Sequence, residues 1–373
     1  MSRYSDYRVQ APVRTVPSLL PGIDWKSIGA QAPEPVQIDY KGPTAPLPAA
    51  DVVMFTWTDS EWSAMDHVFL HSTTAGDNQS SELIHKWLLY SKSAPGGSTA
   101  GGYLWGYYQL VDIVGPGQGS KKTRVLLFKA DTHLSHSPWL AGLVTMVQTI
   151  AGDTEPKLIY SIGTAGGASL SQNLGDVSVT NSGKLQLELE ENLSSGLNGN
   201  TYTSTSFPSW SLMDGAQKLM MPLSKVATWS ELETVLDNAK RSRDQGASSL
   251  KPFSLNDLMN APLDPDNLGS PKAVNYKDQP LLTTDYYYIA EGPTSYAALE
   301  MDDAVIGYAA QKAGAGYTFV RNISDTLVPA QTPDGKSIPD DAREAWSSAI
   351  YDQFGLYTSF NGALAAWAAI AGS

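Results

Sequence analysis

The segment SIGTAGGASLSQNLGDVSVTNS, residues 161–182, contains the residue types best suited to holding a small polar ligand. The glycines of GTAGG (163–167) lack a Cβ atom, so the backbone there can turn sharply and approach another group closely. Thr164 adds a hydroxyl donor, and the surrounding amides, including those of Ala165 and Gly166, add further donors. Because the turn follows a short apolar run, it suits a sugar or an anion, although glycine clusters also make plain turns.

Two carboxylates follow other strand-like runs. Glu61 comes shortly after VVMF (52–55), within TDSEW, and Asp325 ends YTFVRNISD (317–325). Sites in α/β sheets lie at the carboxyl ends of strands, and a carboxylate there could deprotonate water. The alternatives are structural. Glu61 also suits the first turn of a helix, where the dipole favours acidic residues, and Asp325 also suits a helix cap.

Four segments occur in an order typical of one superfamily: DVVMFTWTDSEWSAM (51–65), GTAGG followed by GDVSV, LEMDDAVIGYAAQKA (299–313) and YTFVRNISD (317–325). Together they resemble the nucleoside phosphorylase and nucleosidase superfamily, which cleaves N-glycosidic bonds. The resemblance is closest to purine-type members, including methylthioadenosine and adenosylhomocysteine nucleosidases. It covers roughly residues 50–182 and 280–370 at the level of order and pattern.

The resemblance implies roles for three of these residues. Asp325 would donate a proton to N7 of a purine; Ser324, its neighbour in sequence, is a candidate to orient it. Glu61 would activate the attacking water. Thr164 would face phosphate or that water.

EMDD resembles the family's EMEx, in which Met packs under the sugar and the second Glu accepts hydrogen bonds from both ribose hydroxyls. Met301 keeps its place, while Asp302 replaces the Glu and is one methylene shorter. This departure implies either a modified sugar or a closer approach of the helix predicted for Ser295 to Lys312. The alternative is a polar face on a core helix, and Glu300 and Asp303 suit supporting or solvated charges.

Aromatic and basic residues complete the candidate site. Tyr286 and Tyr287 occupy the stretch where relatives stack on the base, and stacking on a purine is physically apt, although they also suit a plain strand. Lys129, His133 and His136 suit a loop that contacts phosphate or a 5′ substituent. The alternative is an ordinary surface loop.

Composition excludes several classes. The chain has 373 residues, a formal charge of −13 and no cysteine. Disulfides and thiolate chemistry are therefore ruled out, and nucleic acid or an anionic membrane is disfavoured as a partner. The histidine spacing suggests no metal site, and we expect no cofactor beyond inorganic phosphate for a phosphorylase. The N-terminus has no secretory pattern, so we expect a cytoplasmic protein; the resemblance implies a homo-oligomer.

Alternating strands and helices predict a three-layer α/β/α sandwich with a central mixed sheet, as the resemblance also implies. We expect a Pro-rich arm at 1–49, and a catalytic domain at 50–373 with a long insertion at about 183–280. Predicted strands are 52–55, 103–114, 124–128, 158–162, 177–180 and 317–321. Predicted helices are 82–89, 138–150, 229–243, 295–312, 341–351 and 359–370.

Three activities remain open. Phosphorolysis needs cations that clamp phosphate, yet the loop after Phe55 has no arginine and the loop after Phe128 offers only Lys129 and two histidines. Hydrolysis of a purine nucleoside is therefore preferred over phosphorolysis. A non-catalytic nucleoside-binding or storage protein is the second alternative.

Overall fold

The protein is described by a computed structural model over residues 20–72, 80–91, 105–115, 122–135, 137, 139–243, 246–258 and 268–373. Several parts of the sequence predictions lie outside these residues: His136, the first nineteen residues of the N-terminal arm, residues 103–104 of a predicted strand, residue 138 of a predicted helix, and residues 244–245 and 259–267 of the predicted insertion. None of the helices in the described ranges is long and apolar enough to cross a membrane.

The strands are β1 Glu34–Pro35, β2 Val52–Thr56, β3 Leu88–Tyr90, β4 Gly106–Val114, β5 Lys122–Ala130, β6 Leu158–Gly166, β7 Val177–Thr180, β8 Ser182–Gln186, β9 Thr201–Thr203, β10 Ala273–Asn275, β11 Leu281–Thr284, β12 Leu299–Glu300 and β13 Gly316–Asp325. The α-helices are α1 Asp59–Leu70, α2 Ser80–Lys86, α3 Trp139–Thr154, α4 Glu190–Leu193, α5 Met213–Leu219, α6 Trp229–Arg241, α7 Ala247–Leu250, α8 Leu255–Leu258, α9 Asp303–Lys312 and α10 Asp340–Ala371. Short 3₁₀ helices occur at Trp25–Ile28 and Leu223–Lys225.

Strand β6 is the centre of a mixed sheet. It pairs in parallel with β2 and β13 and, at its last residue, antiparallel with β12. The main path runs β1-β4-β5-β2-β6-β12-β11-β8-β9, while β7 and β10 extend from β13. The carboxyl ends of β2, β6 and β13 therefore meet at one edge of the sheet, where α/β proteins place their sites.

Side chains of the central strands alternate between two apolar layers. Val52 and Met54 of β2 pack into a cluster with α1 and α10, while Val53 and Phe55 pack into a second cluster with α3 and α9. This alternation follows from the period of two along a strand. The sheet is thus covered by helices on both faces, and the predicted three-layer sandwich with a mixed sheet is confirmed.

Two predicted helices are wrong in extent. The closing helices predicted at 341–351 and 359–370 are one helix of 32 residues, α10. Gly355 lies where we expected the break, and a β-carbon built on it would lie 3.3 Å from the Ser60 hydroxyl oxygen. Its small size therefore lets α10 pack closely on α1, and this packing outweighs the low helix propensity of glycine.

The helix predicted from Ser295 begins only at Asp303, because residues 299 and 300 form β12. Leu299 pairs with Gly166 of β6, and β12 also pairs with β11. EMDD is therefore a junction between a strand and a helix. This places its carboxylates at the edge of the sheet instead of along a helix face.

Two further segments contact the sheet and α10. In the N-terminal segment, Trp25 is buried with its ring centroid 4.5 Å from that of Trp367. Between residues 183 and 280, β8 joins the sheet beside β11, and α5, α6 and α7 pack against α10.

Candidate active site

Glu61 is held by five hydrogen-bond donors. Its Oε2 atom accepts from the Thr56 hydroxyl at 3.0 Å and from the backbone N–H groups of Trp57 at 3.0 Å and Thr58 at 2.9 Å. Its Oε1 atom accepts from the N–H and the hydroxyl of Thr164, each at 2.7 Å. The residue is only 4% exposed. Glu61 thus closes the capping box of α1 with Thr58, and it also ties this helix to the end of β6.

We expect Glu61→Gln to lower the free energy of unfolding by about 1–3 kcal/mol, since every contact of the carboxylate is with a donor and the amide NH₂ would face one of them. Chemical denaturation measures this change. The matched control is Glu231→Gln, because Glu231 closes the capping box of α6 with Thr228 in an exposed position. Equal losses in the two variants would contradict the buried role of Glu61.

Gly163 lies between Glu61 and a buried arginine. A β-carbon built on it would lie 2.4 Å from Nη1 of Arg321 and 2.8 Å from Oε1 of Glu61, so no larger residue fits. Gly167 is similarly close to the backbone N of Leu327, at 2.8 Å. We expected these glycines to let a ligand approach the backbone. In the structure, the groups that approach it are Glu61 and Arg321 at Gly163 and the backbone of Leu327 at Gly167.

Arg321 is the functional residue that sequence reasoning missed. It lies within β13, is 4% exposed, and donates from Nε to Asp303 at 2.7 Å and from Nη2 to Ser161 at 2.9 Å. A second hydrogen bond joins it to Asp303, and Glu300 lies 3.3 Å away. The signal was present, because an arginine within a strand predicted to be buried must find an oppositely charged partner.

Glu300 organises the start of α9. Its Oε2 atom accepts from the backbone N–H groups of Asp302 at 2.6 Å and Asp303 at 3.0 Å, and Thr283 hydrogen-bonds to its other oxygen. Burial, and then the charge of Asp303, raise the pKa of Glu300 to about 8. Glu300 and Asp303 are therefore buried supports, and the alternative of solvated charges is wrong.

Asp302 turns away from the helix that it precedes. Its side chain caps no N–H of α9; instead, Oδ2 lies 3.0 Å from Nε2 of His133, and Oδ1 accepts from the backbone N–H of Leu134 at 3.3 Å. Lys129, which we expected in this loop, lies instead within β5 and is paired with Asp131. The structure thus brings His133 to Asp302, while Lys129 already has a carboxylate partner.

Asp325 ends β13 among hydroxyl groups. Ser324 donates to its Oδ1 at 2.9 Å, and Ser347 and Tyr287 also hydrogen-bond to the carboxyl. The pairing with β6 shifts in register between Ile323 and Asp325, an irregularity that re-aims a side chain. Burial raises the pKa of Asp325 from its ordinary 3.8 to about 6, although these hydrogen bonds act in the opposite direction. Such a group can hold and release a proton near neutral pH.

The two tyrosines of the candidate base site point to different partners. Tyr287 hydrogen-bonds to Asp325, and burial raises the pKa of Tyr287 well above its ordinary value. Tyr286 instead accepts from Gln186 at 2.9 Å and lies edge-on to Tyr288. Tyr286 lies in a bend after β11 and Tyr287 lies in the irregular segment that follows it, so the alternative of a plain strand is wrong.

These groups converge at the end of β6. Gly166 pairs with Asp325 on one side and with Leu299, which precedes the EMDD carboxylates, on the other. A β-carbon built on Gly166 would lie 3.3 Å from Oδ2 of Asp325. Thr164, which holds Glu61, is two residues earlier on the same face of the strand, roughly 7 Å away at the usual rise per residue. Glu61 and Asp325 thus lie on either side of the end of β6. Asp302 comes three residues after Leu299, which pairs with Gly166 at the same strand end. Met301, between Glu300 and Asp302 in the same junction, is half-buried.

Comparisons with known proteins give similarities of fold. No known family model matches the chain, and no curated protein matches it in sequence. Among solved structures, the 5'-methylthioadenosine/S-adenosylhomocysteine nucleosidase from Neisseria meningitidis is 11% identical, with 86% of this chain and 98% of that chain covered and a TM-score of 0.42. Futalosine hydrolase of Helicobacter pylori is 9% identical, with 86% and 96% covered and a TM-score of 0.41.

The S-adenosylhomocysteine nucleosidase from Streptococcus pyogenes is 12% identical, with 87% of this chain and 98% of that chain covered and a TM-score of 0.42. The first and third of these proteins are nucleosidases by name. At these identities and TM-scores, the similarity assigns no activity to this chain.

Proposed function

We propose that this protein is a nucleosidase that hydrolyses the N-glycosidic bond of a purine nucleoside or nucleoside derivative. The observation that carries the proposal is that two carboxyl groups lie at the end of β6. Asp325, with its pKa near 6, pairs with Gly166, and Glu61 is hydrogen-bonded to Thr164. A proton donor and a carboxylate acceptor in this arrangement are the two groups that hydrolysis of a glycosidic bond needs.

In the proposed reaction, water attacks the anomeric carbon as the bond to the base nitrogen breaks. The electron pair of that bond goes to the base, which takes the proton of Asp325, and the water gives a proton to Glu61. Thr164 is the donor best able to make room for this water, because its hydroxyl rotates freely while the four other donors include three fixed backbone N–H groups. Asp325 and Glu61 then regain their starting states by exchange with solvent.

The base is proposed to be a purine because a carboxylic acid at this position suits N7, which pyrimidines lack. Phosphorolysis remains the runner-up, but the contacts disfavour it. The two described cations near the site, Lys129 and Arg321, are each bound to carboxylates. Phosphate would have to compete with these partners and would also meet the Glu61 carboxylate.

The proposal predicts release of free base without phosphate. Candidate purine nucleosides, with hydroxyl, thioether or phosphate at the 5′ position, would be incubated in phosphate-free buffer made with ¹⁸O-labelled water. We expect free purine by chromatography and one ¹⁸O atom in the sugar by mass spectrometry. Strict dependence on phosphate with formation of a sugar 1-phosphate would favour the phosphorylase. Tight binding of a nucleoside without release of base would favour a binding protein.

A further inference from the structure

The Asp302 side chain does not cap α9, although Asp302 is the residue that precedes this helix. An Asp at the residue before a helix normally caps the first backbone N–H groups, yet here Glu300 accepts from the N–H groups of Asp302 and Asp303 instead. The Asp302 side chain is therefore directed to the loop that follows β5, where it meets His133 and Leu134.

The ring of His133 is held at both of its nitrogen atoms. Its Nδ1 atom lies 3.1 Å from the backbone N of Ser135 and 2.8 Å from the Ser135 hydroxyl oxygen. Its Nε2 atom lies 3.0 Å from Oδ2 of Asp302 and donates to it, because a carboxylate oxygen accepts. Ser135 thus orients His133, and His133 in turn orients Asp302, in the way that second partners orient histidine rings elsewhere.

Two donors contact the Asp302 carboxylate among the described residues. One is the imidazole N–H of His133 and the other is the peptide N–H of Leu134, while Asp302 is 4% exposed. A carboxylate has about four acceptor positions, so two donors leave some of these positions open. A buried carboxylate in this state favours a ligand that brings additional donors.

We propose that His133 is a positioning residue that sets the dependence of this enzyme on the sugar hydroxyl groups. It fixes the carboxylate of Asp302 so that the remaining acceptor positions receive the hydroxyls of a nucleoside. The inference rests on the proposed nucleosidase function and concerns the same site.

The test compares two substrates on one preparation of enzyme. The kcat/KM for the purine nucleoside that the wild type cleaves is divided by that for its 2′,3′-dideoxy counterpart, in the wild type and in His133→Asn. Asn can present its side-chain oxygen to Ser135 as Nδ1 does, but it has no donor at the position of Nε2. Because hydrogen bonds to charged groups are strong, we expect this ratio to fall by about 10- to 100-fold. Partial unfolding would lower both values equally and leave the ratio unchanged.

His133→Gln is the rescue variant, since its amide can donate from about the position of Nε2, and we expect it to recover at least part of the ratio. His71→Gln is the matched control, because it removes another His–Asp contact, between Nδ1 of His71 and Asp66 at 2.8 Å, and should leave the ratio unchanged. A ratio in His133→Asn within twofold of the wild type would overturn the inference while leaving the nucleosidase intact. No release of base from any nucleoside by the wild type would overturn the proposed function and this inference with it.

Discussion

Replacing Asp325 with Asn is expected to lower kcat for base release by two to four orders of magnitude, the usual contribution of a positioned general acid. Asn has nearly the shape of Asp and can hydrogen-bond to Ser324, Ser347 and Tyr287, but it has no acidic proton to give to the leaving base. Quenched-flow or chromatographic assays under saturating substrate measure this loss. Asp237→Asn, on the exposed surface of α6, is the control and should leave kcat unchanged.

The same variant should gain stability at neutral pH. The folded-state pKa of Asp325 is about 6 against an ordinary 3.8, so the folded protein binds this proton more tightly than the unfolded chain does. Stability therefore falls as pH rises from about 4 to 6, by at most about 3 kcal/mol, since one pKa unit corresponds to about 1.4 kcal/mol. Part of the residue remains exposed, which makes this an upper value.

We expect Asp325→Asn to match the wild type in stability near pH 4 and to exceed it above pH 6. Denaturant unfolding at a series of pH values measures the difference. A variant that loses activity and gains stability together would identify Asp325 as a residue held in an unfavourable state for function. Undiminished base release, or a difference in stability that does not change between pH 4 and 6, would contradict the assignment.

Arg321→Met is expected to lower the free energy of unfolding by about 3–5 kcal/mol, because removing one partner of a buried ion pair leaves the other charge uncompensated. Arg321 neutralises Asp303, which has no exposed surface, and lies 3.3 Å from Glu300. Met fills much of the same volume, so the loss reports on charge more than on packing. Urea unfolding monitored by tryptophan fluorescence measures it.

Arg124→Met is the matched control. Arg124 makes a similar contact with Asp112, at 3.0 Å, but its own side chain is 45% exposed and Lys122 lies 3.9 Å from the same carboxylate. We therefore expect a smaller loss than for Arg321→Met, because solvent screens this pair and Asp112 keeps a second cation. The double variant Arg321→Met with Asp303→Asn should recover part of the loss, because it removes the orphaned charge. If Arg321→Met costs no more than Arg124→Met, the buried cluster does not hold the site together.

Much of the fold follows from the sequence, because the apolar runs of the central strands are short and bounded by turn residues. The strand predicted at 177–180 has the observed bounds, and those predicted at 52–55 and 158–162 lie within β2 and β6. The predicted helices at 138–150 and 229–243 agree with α3 and α6 to within a few residues. Periodicity and turn chemistry carry this information locally.

The arrangement of the site could not be predicted to the same depth, because it depends on contacts between distant segments. The sequence pointed to Asp325, Glu61 and Thr164, but it did not show that Thr164 donates to Glu61 or that Tyr287 contacts Asp325. Nor did it show that the first N–H groups of α9 would donate to Glu300 instead of to Asp302. These hydrogen bonds depend on the pairing of β12 with β6, which no local pattern reveals.

The central claim is that Asp325 gives its proton to the leaving base during hydrolysis. The most direct test is the pH dependence of kcat/KM for release of free purine in phosphate-free buffer, which reports the essential groups of the free enzyme. We predict that kcat/KM of the wild type falls above about pH 6, the pKa of Asp325. We expect kcat/KM of Asp325→Asn to be much lower throughout and not to fall above this pH. No release of base from any purine nucleoside, or the same fall and the same rate in Asp325→Asn, would contradict the claim.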